Sequence, residues 1–379
     1  MQRFDSPHDR VASSVAVIEA EAVRLDRDGG FPEQAFTVLR EAGALTAPLP
    51  RQLGGCGLGT EPGGAMALLD LLRLLGGASL AVGRLYEGHV NALKLIALYG
   101  SASQLASAAA DAAAGHLFGI WVTGAAAPLR LVEQDGGYRL EGEKRFASGA
   151  LHVTRPLVTA LPDDAAAGLG DASMHMVLVP LGPDRRASDT LGGLHGMRAA
   201  RTGSCDFTGI VLGAEALIGA PGDYLRQPEF CAGAWRGIAV ALGGIDRLVS
   251  LLRGQLLQRG RHENPHQLTR IGEALIAQET AAMWTAKAAA VAEGGIHEPG
   301  DVVAIVGLAR IAAEQAGLDV IRLVQRGLGL AAFLQDNPVE RVMRDLATYL
   351  RQPAPDETLT AAAAWFTARD IPKVAEPGA

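Results

Sequence analysis

Aromatic side chains make up only 5% of this 379-residue sequence, and cysteine occurs three times. So few rings favour closely packed helices over a binding platform of stacked aromatics. Cys56, Cys205 and Cys231 are widely spaced, odd in number and without a CxxC pair. That excludes a disulfide scaffold or zinc framework and fits free thiols in a reducing compartment, so a cytoplasmic location is expected. Basic residues are not in excess: 34 Lys and Arg stand against 41 Asp and Glu, a formal net charge of -7. A surface that coats nucleic acid is therefore not expected. No uninterrupted apolar stretch reaches membrane-spanning length, and the polar residues 1–10 lack the hydrophobic region of a signal peptide, so neither membrane insertion nor secretion is expected.

What is present is a hydrophobic content of 49%, with abundant Ala and Gly, enough for two or three packed units. The pattern divides the chain into residues 1–116, 117–221 and 222–379. In the first part, apolar residues recur at helical spacing over 11–26, from Phe31-Pro32-Glu33 to Gly43, over 64–76, 79–99 and 103–113. Residues 45–59 hold Pro and Gly at a density that no regular element tolerates. The middle part reads as short strands: 138–140 after the tight-turn signal Asp135-Gly136-Gly137, then 144–148, 156–161, 174–179, 203–207 and 210–212. A polar loop is expected at 163–171. Helix returns over 230–257, 268–294 and 302–333, with a fourth helix opening at Asn337-Pro338, which predicts a bundle of four long antiparallel helices.

Several motifs carry both a structural and a chemical reading. Arg84-Leu85-Tyr86-Glu87-Gly88-His89 offers Glu87 or His89 as a general base, but a hydrogen-bonded core histidine is the simpler role. Gly327-Leu328-Gly329-Leu330-Ala331-Ala332 fits a dinucleotide fingerprint but follows a helical pattern where that fingerprint needs a strand. Arg253, Arg259, Arg261 and Arg270 concentrate positive charge in an acidic chain, and guanidinium forks suit a diphosphate. In Pro338-Val339-Glu340-Arg341-Val342-Met343-Arg344-Asp345, the two arginines share a helix face with acids beside them, the pattern of a salt-bridged helix.

The order Trp121-Val122-Thr123, hairpin, Glu143-Lys144-Arg145-Phe146-Ala147-Ser148-Gly149 resembles the start of the β domain in the acyl-CoA dehydrogenase superfamily. The Arg341 to Asp345 segment, the Gly turn before it and the loop Leu39 to Gly57 resemble that superfamily in the same order. The resemblance runs from about Phe31 to Phe366. It implies a mainly α fold with a central β domain: an N-terminal helical domain, an antiparallel β-barrel or sandwich, and a C-terminal four-helix bundle. It also implies FAD, with Trp121, Thr123, Phe146 and Ser148 at the isoalloxazine ring. Arg261 and Arg259 would reach the diphosphate, and Gln325, Gly327 and Gly329 the ADP half, from a neighbouring subunit. A homodimer or homotetramer follows. In Leu194 to Ser204, Arg198 and Ser204 match positions near the flavin or substrate.

The departures from the pattern bear on chemistry. Where dehydrogenases of this family carry the Glu that removes the α proton, this chain has Pro353, and the alternative position falls near Trp235. Asp356 and Glu357, a few residues later, are then the candidate displaced bases, although Pro355-Asp356-Glu357 also reads as a helix start with Asp356 as its cap. Three functions stay open: an FAD-dependent dehydrogenase acting on an acyl thioester such as an acyl-CoA or a related small molecule, a flavin-dependent monooxygenase of the same fold, and a non-catalytic partner subunit.

Overall fold

A computed structural model describes residues 6–125, 127–163, 173–189 and 193–372. Six helices come first: α1 (Pro7–Ser13), α2 (Val15–Asp28), α3 (Glu33–Glu41), α4 (Ala65–Ala78), α5 (Leu80–Tyr99) and α6 (Ala102–Ala113). The single helix expected over 11–26 is two, parted at Ser14. A capping box between Ser6 and Asp9 starts the first four residues earlier, at Pro7. Ser79 caps α5 by accepting from the Val82 amide.

Among the described residues ten strands follow: β1 (Phe118–Trp121), β2 (Arg130–Gln134), β3 (Gly137–Glu141), β4 (Glu143–Ala147), β5 (Arg155–Pro162), β6 (His175–Leu178), β7 (Arg186–Ser188), β8 (Gly203–Asp206), β9 (Val211–Leu212) and β10 (Leu217–Ile218). The hairpin between β2 and β3 turns at Gly136, whose φ of +81° suits glycine. One sheet runs β10-β6-β5-β2-β3-β9 with β1 added beside β5; the other is β4-β8-β7. Among the described residues these sheets stay open and do not close into the barrel that was one of the two expected forms. The expected antiparallel order also has exceptions, since β5 pairs in parallel with both β1 and β2. The polar loop expected at 163–171 lies, beyond Asp163, outside the described residues.

Helix then resumes with α7 (Glu229–Ala232), α8 (Ala234–Gln258), α9 (Pro265–Gly294), α10 (Pro299–Leu328), α11 (Pro338–Tyr349) and α12 (Pro355–Phe366). α8, α9 and α10 pack on one another, α11 lies on α8, and α12 lies on α10. Across the first helical group, α4 meets α8 backbone to backbone. A Cβ on Gly76 would collide with the Val240 carbonyl, and one on Gly243 with the Arg73 carbonyl. Arg73 closes the same seam on Asp246, Nε to Oδ2 at 2.5 Å and Nη2 to Oδ1 at 3.1 Å. The main apolar core runs through helices and sheets alike, and a second, smaller cluster gathers residues of α5, α6, β1, β5 and β6.

Arg344 ties the parts together. It is buried, donates to Glu340 at 2.9 Å, to Asp26 of α2 at 2.7 Å and to the His195 carbonyl at 3.1 Å. Its neighbour Asp345 accepts from the Met197 amide at 2.6 Å. The structural role read for these two residues is the one observed. Arg198 donates to the Asp26 carbonyl at 3.3 Å, and Ser204 sits in β8.

Candidate functional site

A cleft of about 1180 Å³ opens between α5, the turn after β4, the segment 224–241, the C-terminal end of α9, the first half of α10, and the residues that join α11 to α12. Of the four residues expected at the flavin ring, only Ser148 lines the cleft, with Ile120 of β1, while Trp121, Thr123 and Phe146 are not on its lining. Trp121, at the end of β1, is buried and donates from Nε1 to the Ser148 carbonyl at 3.0 Å. Ser148 itself lines the cleft. Thr123 follows β1 and accepts the Arg145 amide at 2.9 Å through its carbonyl. Phe146 occupies the left-handed region at φ +54°, where the β4–β8 register shifts between Arg145 and Ala147. Such a bulge turns a side chain out of its strand's alternation, and the Phe146 ring is 56% exposed.

Behind these residues sits a lysine with no carboxylate partner among the described residues. Lys144 is buried, and its Nζ donates to the Val122 carbonyl at 2.7 Å and the Thr159 hydroxyl at 3.1 Å. Burial lowers its pKa to about 8. The ammonium thereby pins the chain between Trp121 and Thr123.

The opposite wall is polar, and the sequence reading found only part of it. Arg84, Glu87, Asn91 and Lys94 fall at i, i+3, i+7 and i+10 on α5, one face of a helix otherwise apolar. Glu87 takes the Arg84 guanidinium and the Asn91 amide. Asn91 Oδ1 accepts from Arg236 of α8 at 2.9 Å, and Arg236 passes on to Glu293 at the end of α9. Glu293 also accepts from Lys94 and from Trp235 Nε1, each at 3.0 Å. Burial opposes the charge on Glu293, but Arg236 and Lys94 outweigh it and hold the carboxyl below its ordinary pKa. Tyr349 and Tyr224 complete this wall, and burial raises both phenols, Tyr224 to about 12.

His89 faces away. Its Nδ1 accepts the Phe118 amide at 3.1 Å, so Nε2 carries the proton and donates to the Leu45 carbonyl at 2.7 Å. Burial lowers its pKa to about 4, so the ring is a neutral core bridge, and the simpler of its two readings holds.

The candidate bases separate. Glu357 lines the cleft, exposed, while Asp356 is exposed and not on the lining. Neither caps α12, because the cap position is Ala354, in the left-handed region at φ +51°, with Asp356 and Glu357 in the first turn. Pro353 lines the cleft and Trp235 is buried. Arg259, Arg261, Gln325, Gly327 and Gly329 gather at the far end of the bundle, and none lines the cleft. There α10 ends at Gly329, φ +64°, whose amide caps the Gln325 carbonyl. Gln267 donates to the Gly327 carbonyl at 3.1 Å, and Arg259 to that of Leu328 at 3.5 Å. Arg261 is exposed.

Among the described residues, no three His, Cys, Asp or Glu side chains are grouped to hold a metal, and no helix is long and apolar enough to cross a membrane. Residues 10–116 match the N-terminal domain of acyl-CoA dehydrogenases. The whole-chain fold agrees: KijD3, solved with FMN and dTDP-3-amino-2,3,6-trideoxy-4-keto-3-methyl-D-glucose, superposes with a TM-score of 0.85 over 98% of this chain and 94% of its own, at 19% identity. The chain has the acyl-CoA dehydrogenase fold. In sequence it is similar to dibenzothiophene monooxygenase of Rhodococcus erythropolis, 27% identical over 59% of this chain, and spans 54% of that relative's length. It is also similar to cyclohex-1-ene-1-carbonyl-CoA dehydrogenase of Geobacter metallireducens, 24% identical over 86% of this chain and 88% of the relative.

Proposed function

We propose that the cleft holds a flavin against Trp121, Thr123, Phe146 and Ser148, and that the chain is a flavin-dependent monooxygenase of a small organic molecule. The observation that carries this reading is that, among the described residues, both carboxylates of the α5 network are tied up and neither position expected for the base holds one. Dehydrogenation of an acyl thioester needs a base at the α carbon opposite the flavin. Glu87 and Glu293 are both committed to ion pairs, and Pro353 and Trp235 offer no base. Monooxygenation has no such requirement: O2 would supply one oxygen atom to the product, and two electrons from reduced flavin, with two protons, would take the second oxygen to water. This chain's residues then bind and orient the substrate and exclude water. The similarity to dibenzothiophene monooxygenase supports the same reading.

Dehydrogenation is the second reading, favoured by Glu357 on the cleft lining, outside any ion pair among the described residues. The superfamily provides for FAD, and FMN accompanies KijD3. We propose FAD, because Arg259 and Arg261 lie together beside the Gly turn at the bundle end, where a diphosphate finds its donors. Chromatography of the flavin released by heating decides between the two. The test of function has two arms: without air, acyl-CoAs should leave the flavin spectrum unchanged, and in air externally reduced flavin should consume O2 faster with substrate present. Bleaching by an acyl-CoA that is lost in Glu357→Gln, with flavin retained, overturns oxygenation in favour of dehydrogenation. A colourless protein with no flavin affinity at micromolar concentration overturns both.

A further inference from the structure

The wall of the cleft between α5 and α8 is richer in donors than the chain itself satisfies. Arg84 directs one of its five N–H groups to Glu87, and no other partner for it is found among the described residues. Its side chain is 33% exposed, to the cleft that it lines. The hydroxyls of Tyr349 and Tyr224 likewise have no hydrogen-bond partner among the described residues, and the Tyr349 hydroxyl lies against Gly237, where a Cβ would stand 3.4 Å from it. Lys94 spends one of three N–H groups on Glu293. Within this network Arg84, Lys94 and Arg236 stand against Glu87 and Glu293, leaving one local positive charge, although the cleft lining as a whole sets five basic residues against five carboxylates. An alkyl chain laid on this wall would strip water from these groups and return no hydrogen bonds. An acceptor-rich anion would satisfy them.

We propose that the substrate carries a carboxylate, which docks at the corner formed by Arg84, Tyr349 and Tyr224. The two phenols belong to the same electrostatic neighbourhood as Arg84, whose pKa is raised by Glu87 first and then by both tyrosines. Raised phenol pKa values keep both hydroxyls protonated as donors at neutral pH. Arg84 gives the paired geometry that a carboxylate accepts, and Tyr349 sets its depth. The proposal rests on the reading of this cleft as the substrate site.

Titration calorimetry with benzoate and its uncharged isostere benzamide tests it, on wild type and on Arg84→Gln and Tyr349→Phe, with flavin affinity measured separately by fluorescence quenching. Benzoate should bind at least about tenfold more tightly than benzamide, the worth of a charge-assisted hydrogen bond. Arg84→Gln should abolish that preference, and Tyr349→Phe, which leaves the Arg84–Glu87 pair intact, should reduce it severalfold. Equal binding of the two probes, no binding of either, or an undiminished preference in both variants overturns the proposal. If Arg84→Gln does not fold, Tyr349→Phe alone decides. Flavin binding without benzoate preference refutes the carboxylate and leaves the flavoprotein standing; benzoate preference without flavin binding does the reverse.

Discussion

His89 is the residue whose behaviour is most constrained by its surroundings. Both ring nitrogens are engaged in a neutral tautomer, and burial moves its pKa from 6.5 down to about 4. A folded-state pKa below the unfolded one means that the unfolded chain binds the extra proton. The contribution is therefore fully present above pH 6.5 and is lost as pH falls towards 4, by about 3 kcal/mol over that window. Urea denaturation at pH 7 and pH 4.5 should show a steeper loss in wild type than in His89→Gln. An equal loss in the two proteins would show that the imidazole takes its proton in the folded state.

Arg344 makes a different prediction at the same scale. It joins α11 to Asp26 and to the His195 carbonyl, so its loss leaves the buried Asp345 and the half-buried Asp26 and Glu340 with too little positive charge. Arg344→Met should cost about 3–5 kcal/mol, the penalty for breaking a buried ionic cluster from one side. A chemical denaturation midpoint within experimental error of wild type would refute that.

At the scale of elements, the seam between α4 and α8 depends on Gly76 and Gly243, each lying where a side chain would run into the other helix's backbone. Rigid carbonyls cannot yield as a flexible side chain would, so Gly243→Ala should cost about 3 kcal/mol. Gly254→Ala in the same helix, with open space at the Cβ, should gain up to about 1 kcal/mol through helix propensity. Thermal denaturation of the pair separates a packing requirement from a general dislike of change in α8. The long helices were legible because their apolar residues repeat at helical spacing over many turns. β7 and β10 were not, being three and two residues long and too short to show any alternation. The parallel pairing of β1 with β5 joins segments more than thirty residues apart, and no local pattern encodes it. Of the candidate site, the α5 stripe was readable as polar residues three and four apart in an apolar helix. Its partners Arg236, Glu293 and Tyr349 come from three other helices and are single polar residues in apolar or Ala-rich text, so only the packing reveals them. The Phe146 bulge depends on a register shift against β8, which sequence periodicity does not record.

At the scale of the whole molecule, the Arg259, Arg261 and Gly329 cluster lies away from the cleft, so a single subunit does not bring all the expected flavin-binding residues to one place. The surface near it explains how they could meet. On α9, Leu268, Leu275, Ile276 and Met283 are 40–70% exposed at intervals that keep them on one face. At the bundle end Leu257, Leu330, Phe333 and Leu334 are 51–82% exposed. Exposed apolar residues in such number on a chain that carries a net charge of -7 predict a surface suited to another protein. A second copy of this chain is the occupant that would also bring Arg259 and Arg261 towards a neighbour's flavin. Light scattering should accordingly give a multiple of 39.4 kDa. Ile276→Asp combined with Met283→Asp should yield monomers and lower flavin affinity at least about tenfold, through loss of charge-assisted contacts to the diphosphate. Arg261→Gln should lower flavin affinity while leaving the assembly intact, which separates the contact from the interface. A wild-type monomer of 39.4 kDa that binds flavin tightly would show that the bundle end plays no part in the site.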